Sequence, residues 1–555
     1  MMRRVCVIGL DGGTWDLLHP LVDRGIMPNL GRLMSGGVCG PLTTCFPPST
    51  GPAWVSIATG RNPGKHGIYN FLKNSAGGLG QRLITSADIQ VKTLWEILSD
   101  HDRKVGVINV PISYPPQEVN GFVVSGLMTP SVESGLTYPR DLTGEILKEI
   151  GDYIITVRWT HYGPRRAREL VSDLRHCHRQ RGRTALYLME KKPWDFFMTV
   201  FTGTDRIQHA LWNYLDPGGY PEGLEKDPSV EADIHEYYRD VDRTIGEIQE
   251  RLTRDDILLI VSDHGFGAMA KKVHMNRWLE EEGYLKLKRS RYLTSSLKEK
   301  SWRGLRKAVA YADRWKVRRK LMAGDHARTL RRLGGLEDRF TQFYRCVDWK
   351  RTRAFVSAIT DQTGIYINLE GRSPLGTVPV GQYEHLRDEI IERLKSFTDP
   401  DSGEPIITSV VKREEYYTGP FTKWAPDILV TIKDCEYSTD MFLSDSVFEV
   451  PDKRFGWGCH RMDGIFVAHG GPVKRGDAGH LSVYDICPTV LYLMGLPIPD
   501  DVDGRAALDI LEDSFTLDRE PEYAPTDKAQ ARSAQLSAED ENELRERLRG
   551  LGYLS

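Results

Sequence analysis

Short, largely apolar runs recur along the first half of the chain, at residues 5–10, 104–109, 121–125, 195–201 and 257–262. Runs of this length without polar alternation predict strands buried on both faces, as in a parallel sheet. Between them, 14–24, 52–59, 91–100, 165–190 and 231–253 read as helices. The alternation predicts an α/β fold, with a mostly parallel central sheet and helices on both faces. A second alternating region resumes near 351, and the core is expected to close with a strand at 464–468 and a helix at 484–494.

One segment breaks the pattern. Residues 286–332 hold 17 Lys/Arg against Glu299, Asp313 and Asp325, with Trp302, Tyr311 and Trp315 interspersed. Leu305, Val309, Ala312 and Trp315 fall at the spacing of an amphipathic helix. The segment reads as a solvated helical insertion, or as a basic lid or docking face for an anionic substrate, a membrane surface, nucleic acid or a partner protein. The expected division is therefore a catalytic core from 1–270 and 420–515, an inserted cap over 271–419, and a tail from 516 to 555. In the tail, Ser537 and Asp540 open a short charged helix ending at Gly550, read as an appendage that packs on the core or a partner.

Composition narrows the setting. The 555 residues carry a formal charge of −3 and 40% hydrophobic residues, ordinary for a globular protein, and no specific nucleic-acid binding is predicted. No stretch approaches the ~18 to 20 apolar residues of a membrane helix. Asp11 cuts the first apolar run too early for a secretory signal. The eight cysteines form no Cys-x-x-Cys pair, which fits free thiols and a cytoplasmic location.

The chemistry lies where the runs end. Ile257–Val261 leads through Ser262 to Asp263 and His264, with Gly265 and Gly267 turning the backbone away. A carboxylate and an imidazole at a strand's C-terminal edge are what a divalent-metal site in an open sheet requires, although a strand-end Asp also caps helices. Asp11-Gly12-Gly13 repeats this geometry after the first strand. Asp205 and His209 follow the fourth run at i, i+4 spacing, which puts both on one helical face. Thr50 stands ahead of a helix that Pro52 suits at its start and Gly60 at its end. A hydroxyl there can simply cap the helix; beside a metal it becomes a nucleophile, with Ser49 the adjacent alternative. His460, in a glycine-rich loop before an apolar strand, is read as a further ligand ahead of His480 and His469. His66, His176, His178 and His274 are read as structural or surface groups.

In this order, Asp11, Thr50 with Thr59-Gly60-Arg61-Asn62-Pro63-Gly64-Lys65-His66-Gly67, Asp205-x-x-x-His209, Asp263-His264-Gly265 and His460 resemble the alkaline phosphatase superfamily. The branch they resemble is the type I phosphodiesterase/nucleotide pyrophosphatase group, over roughly residues 4–505. The resemblance implies one metal held by Asp11, Asp263 and His264 and touching Thr50, and another held by Asp205, His209 and His460. Mixed Asp/His ligation suits zinc, with manganese the alternative. It implies a hydrolase of small phosphate esters, acting on phosphodiester or pyrophosphate bonds through a covalent phospho-threonine.

Departures from the pattern bear on substrate. That branch carries Asn three residues after its Thr, where this chain has Ala53, so a nucleotide substrate is not implied. Cys45-Phe-Pro47-Pro-Ser49 lacks the arginine of a sulfatase motif, and the large insertion follows His264, unlike that of the phosphoglycerate mutases. A phosphomonoesterase, phosphonate hydrolase or phosphomutase stays open. A non-hydrolytic transferase or binding component of an envelope or glycan pathway is the alternative of another class.

Overall fold

A computed structural model describes residues 3–74, 81–288, 339–357, 364–441, 443–526, 534 and 536–553. Most of the basic segment 286–332, including its expected helix, lies outside the described residues.

The expected α/β architecture is observed. The central sheet contains β1 (Val5–Leu10), β2 (Val38–Thr43), β3 (Val105–Ile108), β4 (Gly121–Val124), β5 (Thr137–Tyr138), β6 (Phe196–Phe201) and β7 (Ile257–Val261). Across the sheet, β1 lies between β6 and β7, and β6, β3 and β4 follow on one side, all parallel. The strand at Asp463–His469 runs antiparallel between β7 and β2, and the short β5 runs antiparallel to β4 at the other side.

Both faces of the sheet are covered, which is why these strands lack polar alternation. Cys6, Ile8 and Leu10 of β1 point into one core with helices α2 (Ala167–Lys191), α3 (Gly203–Leu215) and α4 (Pro228–Gln249). Val5 and Val7 point into the other, with Ala53, Trp54 and Ile57 of α1 (Thr50–Thr59). Gly9 matters here. A Cβ at Gly9 would sit 2.3 Å from Trp54 Cη2, so the missing side chain lets α1 lie directly on β1.

After β7 the chain forms β8 (Gly265–Ala268) and then a second, smaller sheet of β9 (Ala354–Val356), β10 (Gly364–Ile367), β11 (Ile407–Lys412) and β12 (Ile428–Ile432). This antiparallel sheet and α5 (Tyr383–Lys395) enclose a separate apolar core around Ile365, Ile390 and Ile428. The chain then returns through β13 (Gly458–Arg461) and β14 (Asp463–His469) to the central sheet. The last helix, α6 (Ala538–Gly550), buries Leu544 and Leu548, with Leu551 beyond its end, against Val55, Phe71, Ile112 and Met128.

Candidate active site

Register delivers three acids to one edge. Leu10 is level with Phe201, and Gly9 with Val261, so the residues just beyond β1, β6 and β7 emerge together. Asp11, Asp205 and Asp263 are all fully buried there. Gly12, at φ +68°, turns the chain after Asp11, and its N–H donates to Asp263 Oδ1 at 3.0 Å. The late histidine arrives by strand pairing: β13 runs antiparallel to β8, which sets His460 opposite Phe266. This close pairing needs glycine, since a Cβ on Gly265 would lie 1.9 Å from the Asp463 carbonyl oxygen.

All seven residues singled out from the sequence gather at this edge. Donor atoms of Asp205, His209 and His460 lie within 4.8 Å of one another, as do those of Asp11, Asp205 and His264. Asp263 Oδ2 is 3.2 Å from His264 Nε2. Asp205 thus adjoins both groups, whereas the resemblance placed it in one alone. His480 is exposed near the sheet edge, and His469 packs against Gly36 at the end of β14.

The imidazoles are held in one orientation. Nδ1 of His209, His264 and His460 faces the carbonyl oxygens of Gly458 at 3.0 Å, Gly265 at 3.0 Å and Pro48 at 2.8 Å. Carbonyls only accept, so each Nδ1 carries a proton and each Nε2 is turned toward the cluster. These Nε2 atoms face one another and the carboxylates. His209 Nε2 and His460 Nε2 are 3.0 Å apart, and Asp205 Oδ1 lies 3.4 and 3.2 Å from them. Asp11 Oδ2 and Asp263 Oδ2 are buried with no hydrogen-bond partner among the described residues. Imidazoles and carboxylates converging in this way fit divalent cations, and an N–H tied to a backbone carbonyl is the usual support for a metal-binding histidine.

Charge is unevenly spread. Burial, then the nearby carboxylates of Asp263 and Asp205, push the Asp11 carboxyl well above the usual range. Burial, only partly offset by the Gly12 N–H, pushes Asp263 up to about 7. Burial also opposes ionisation of Asp205, but His209, Arg206 and His460 outweigh it and hold its pKa below the usual range. Burial, then His460, pushes His264 well down, consistent with a neutral ring.

Thr50 opens α1, one residue after Ser49, so its amide end faces this cluster with the helix dipole behind it. Its Oγ1 lies 3.5 Å from Asp11 Oδ1, 3.4 Å from His264 Nε2 and 2.8 Å from the Tyr553 hydroxyl. Sequence reasoning missed three neighbours. Arg206, fully buried, pairs with Asp205, and its Nη1 lies 3.1 Å from the Tyr553 oxygen. Trp159 stacks on His209 at 5.5 Å, and its Nε1–H donates to the Leu551 carbonyl at 2.9 Å. The spacing of Leu544, Leu548 and Leu551 is the sequence signal that could have tied the tail to the core. A cavity of about 360 Å³ opens nearby between the two sheets, lined by Phe46, Tyr69, Tyr366, Tyr417, Lys423 and Trp424 among others, and by none of the seven cluster residues.

Among solved structures, phosphonoacetate hydrolase from Sinorhizobium meliloti 1021 in complex with phosphonoacetate is similar at 15% identity and a TM-score of 0.55, covering 89% of this chain and 95% of that one. Murine ectonucleotide pyrophosphatase/phosphodiesterase 5 aligns at 13% identity and a TM-score of 0.49, covering 92% of this chain and 100% of that one. The first of these likenesses concerns the fold alone. No curated protein matches the sequence. The family model described as type I phosphodiesterase / nucleotide pyrophosphatase matches residues 5–452. The chain therefore belongs to the type I phosphodiesterase/nucleotide pyrophosphatase family of phosphoester hydrolases, within the alkaline phosphatase superfamily.

Proposed function

We propose that this protein is a two-metal hydrolase that cleaves phosphodiester or pyrophosphate bonds, with Thr50 as its nucleophile. The observation that carries this reading is the set of three imidazoles tied through Nδ1 to backbone carbonyls, whose Nε2 atoms converge with buried carboxylate oxygens. Asp11, Asp263 and His264 would hold one ion beside Thr50, and Asp205, His209 and His460 the other. Zinc suits this donor set, and manganese is the alternative. Bound there, two divalent ions lower the pKa of an adjacent hydroxyl and neutralise charge on a phosphoryl group.

The chain's own residues supply the rest. Thr50 Oγ1 attacks phosphorus as the bond to the leaving oxygen breaks, forming phospho-threonine. Water then displaces the Thr50 oxygen and releases the phosphate product. Burial of Thr50, Asp11 and His264 keeps bulk water from screening these charges. Arg206 places a permanent positive charge beside the nucleophile, and its buried Nε and Nη2 have no partner among the described residues, which supports an anionic substrate.

Hydrolysis of bis(4-nitrophenyl) phosphate by metal-loaded protein, chelated protein and Thr50→Ala tests the mechanism. The expected result is turnover by the loaded wild type alone. Full activity in Thr50→Ala or in metal-free protein overturns it. A phosphomonoester and a phosphonate assayed beside the diester decide the bond class.

A further inference from the structure

The tail expected to be an appendage reaches the centre of the site. Past α6, the chain turns through Gly552 at φ +85° and sets the Tyr553 hydroxyl 2.8 Å from Thr50 Oγ1. This segment is built into the fold. Leu544, Leu548 and Leu551 are at most 1% exposed, and buried Arg547 donates to the Thr129 and Pro130 carbonyls. The Tyr553 ring packs on Phe71 with centroids 4.7 Å apart. A Cβ on Gly550 would come 2.7 Å from Arg158 Cβ, so this approach also requires glycine.

The hydrogen-bond directions can be worked out. Arg206 has only donors, so its Nη1–H donates to the Tyr553 oxygen at 3.1 Å. The Tyr553 O–H can donate to Thr50 Oγ1 when the Thr50 proton points toward Asp11 Oδ1 at 3.5 Å, and must do so once Thr50 has lost that proton. The Thr50 oxygen thus has a carboxylate and an imidazole on one side and a neutral donor on another.

Resting on the reading of Thr50 as nucleophile, we propose that Tyr553 is a catalytic residue, its O–H donating a hydrogen bond to the Thr50 oxygen whenever that oxygen bears negative charge. This occurs twice in the reaction, when Oγ1 attacks phosphorus and when it departs from phospho-threonine. Tyr553 keeps its own proton throughout; no bond to it forms or breaks. Arg206 positions the phenol by occupying its oxygen as a donor. The last helix therefore completes the active site, and the catalytic unit extends beyond residue 452, where the family match stops.

Tyr553→Phe, which retains the ring on Phe71, tests the proposal in the full-length, metal-loaded protein. Wild type and Thr50→Ala are assayed in parallel on bis(4-nitrophenyl) phosphate. The expected result is a kcat lower by on the order of 10²-fold, with KM, bound metal and thermal midpoint close to wild type. Rapid-quench mass measurement should also show slower formation and slower loss of phosphorylated Thr50. An unchanged kcat overturns the proposal, and so does a raised one, which would make the tail an inhibitory plug. A fall in kcat matched by loss of metal or of thermal midpoint also overturns it, since the hydroxyl would then be structural. If Thr50→Ala retains wild-type turnover, the nucleophile assignment fails instead, and the two failures are distinguishable.

Discussion

The two halves of the buried cluster use similar ligands and have different electrostatics. Asp205 is compensated within the protein, by Arg206 at its side and by His209 and His460. Among the described residues no such cation pairs with Asp11 or Asp263, and each leaves one carboxylate oxygen without a hydrogen-bond partner. A buried charge without a partner is costly, so on the proposed two-metal reading the Asp11/Asp263 half would depend far more on a bound cation. Thr50 lies against that half, through Asp11 and His264. On the proposed function the contrast implies a division of labour: one half would keep its shape without metal, and the other would need metal for stability and hold it beside Thr50.

The largest expected effect tests where the chemistry occurs. Thr50→Ala should lower the rate of diester hydrolysis by at least about 10³-fold with both metals still bound, measured as initial rates alongside metal content. A loss of metal in parallel would mean the hydroxyl is only a ligand.

Stability without metal sharpens the contrast itself. In chelator at pH 8, above the value of about 7 for Asp263, Asp263→Asn and Asp11→Asn should each stabilise the protein by about 1 kcal/mol or more. Asp205→Asn should destabilise it by about 3 kcal/mol, because Arg206 becomes an unpaired buried cation. Urea unfolding of the three variants measures this. Shifts of one sign in all three would erase the distinction.

Gly9→Ala probes how α1 is seated. A methyl group 2.3 Å from Trp54 must displace the helix that carries Thr50. A cost of about 1–3 kcal/mol is expected, with a fall in kcat larger than any change in metal content. Wild-type kinetics would show that the helix position is not critical.

The smallest effect separates the fold's pH dependence from the site's. Burial pushes His66 down to about 3 and His178 down to about 4. In the unfolded chain each takes a proton near pH 6.5, but in the fold only near its lowered value. Stability is therefore lost as pH falls below about 6.5, by about 1.4 kcal/mol per pH unit per histidine. His66→Asn should flatten the slope by about that amount between pH 6 and 4.5, in chelated protein. Parallel slopes would contradict this.

Much of the cluster was legible in the sequence because strand ends announce themselves. An apolar run that stops at Asp or Asp-His marks both the element and the edge where its polar residues emerge, and Asp11, Asp263 and His264 are all found there. Asp205 and His209 follow from helical spacing. Arg206 stood beside Asp205 but was not recognised, because one residue's offset on a helix does not reveal what it faces. Tyr553 gave no signal at all, since a tyrosine after a charged helix resembles any polar tail. The second sheet was visible only as renewed alternation, and β12 pairs with β10 and β11 there although it lies past residue 420, in the stretch read as core.

By itself the sequence determined the local terms: which segments become buried strands, which end each strand presents, and which side chains carry ligand or nucleophile chemistry. These are set by the period of apolar residues and by residue type, both local quantities. Tertiary structure decided the long-range terms: the antiparallel insertion of β14, the β8–β13 pairing that sets His460 opposite Phe266, and the meeting of Tyr553, Arg206 and Thr50. Contacts between residues hundreds of positions apart depend on how whole elements pack, and on glycines whose missing side chains permit the close approach.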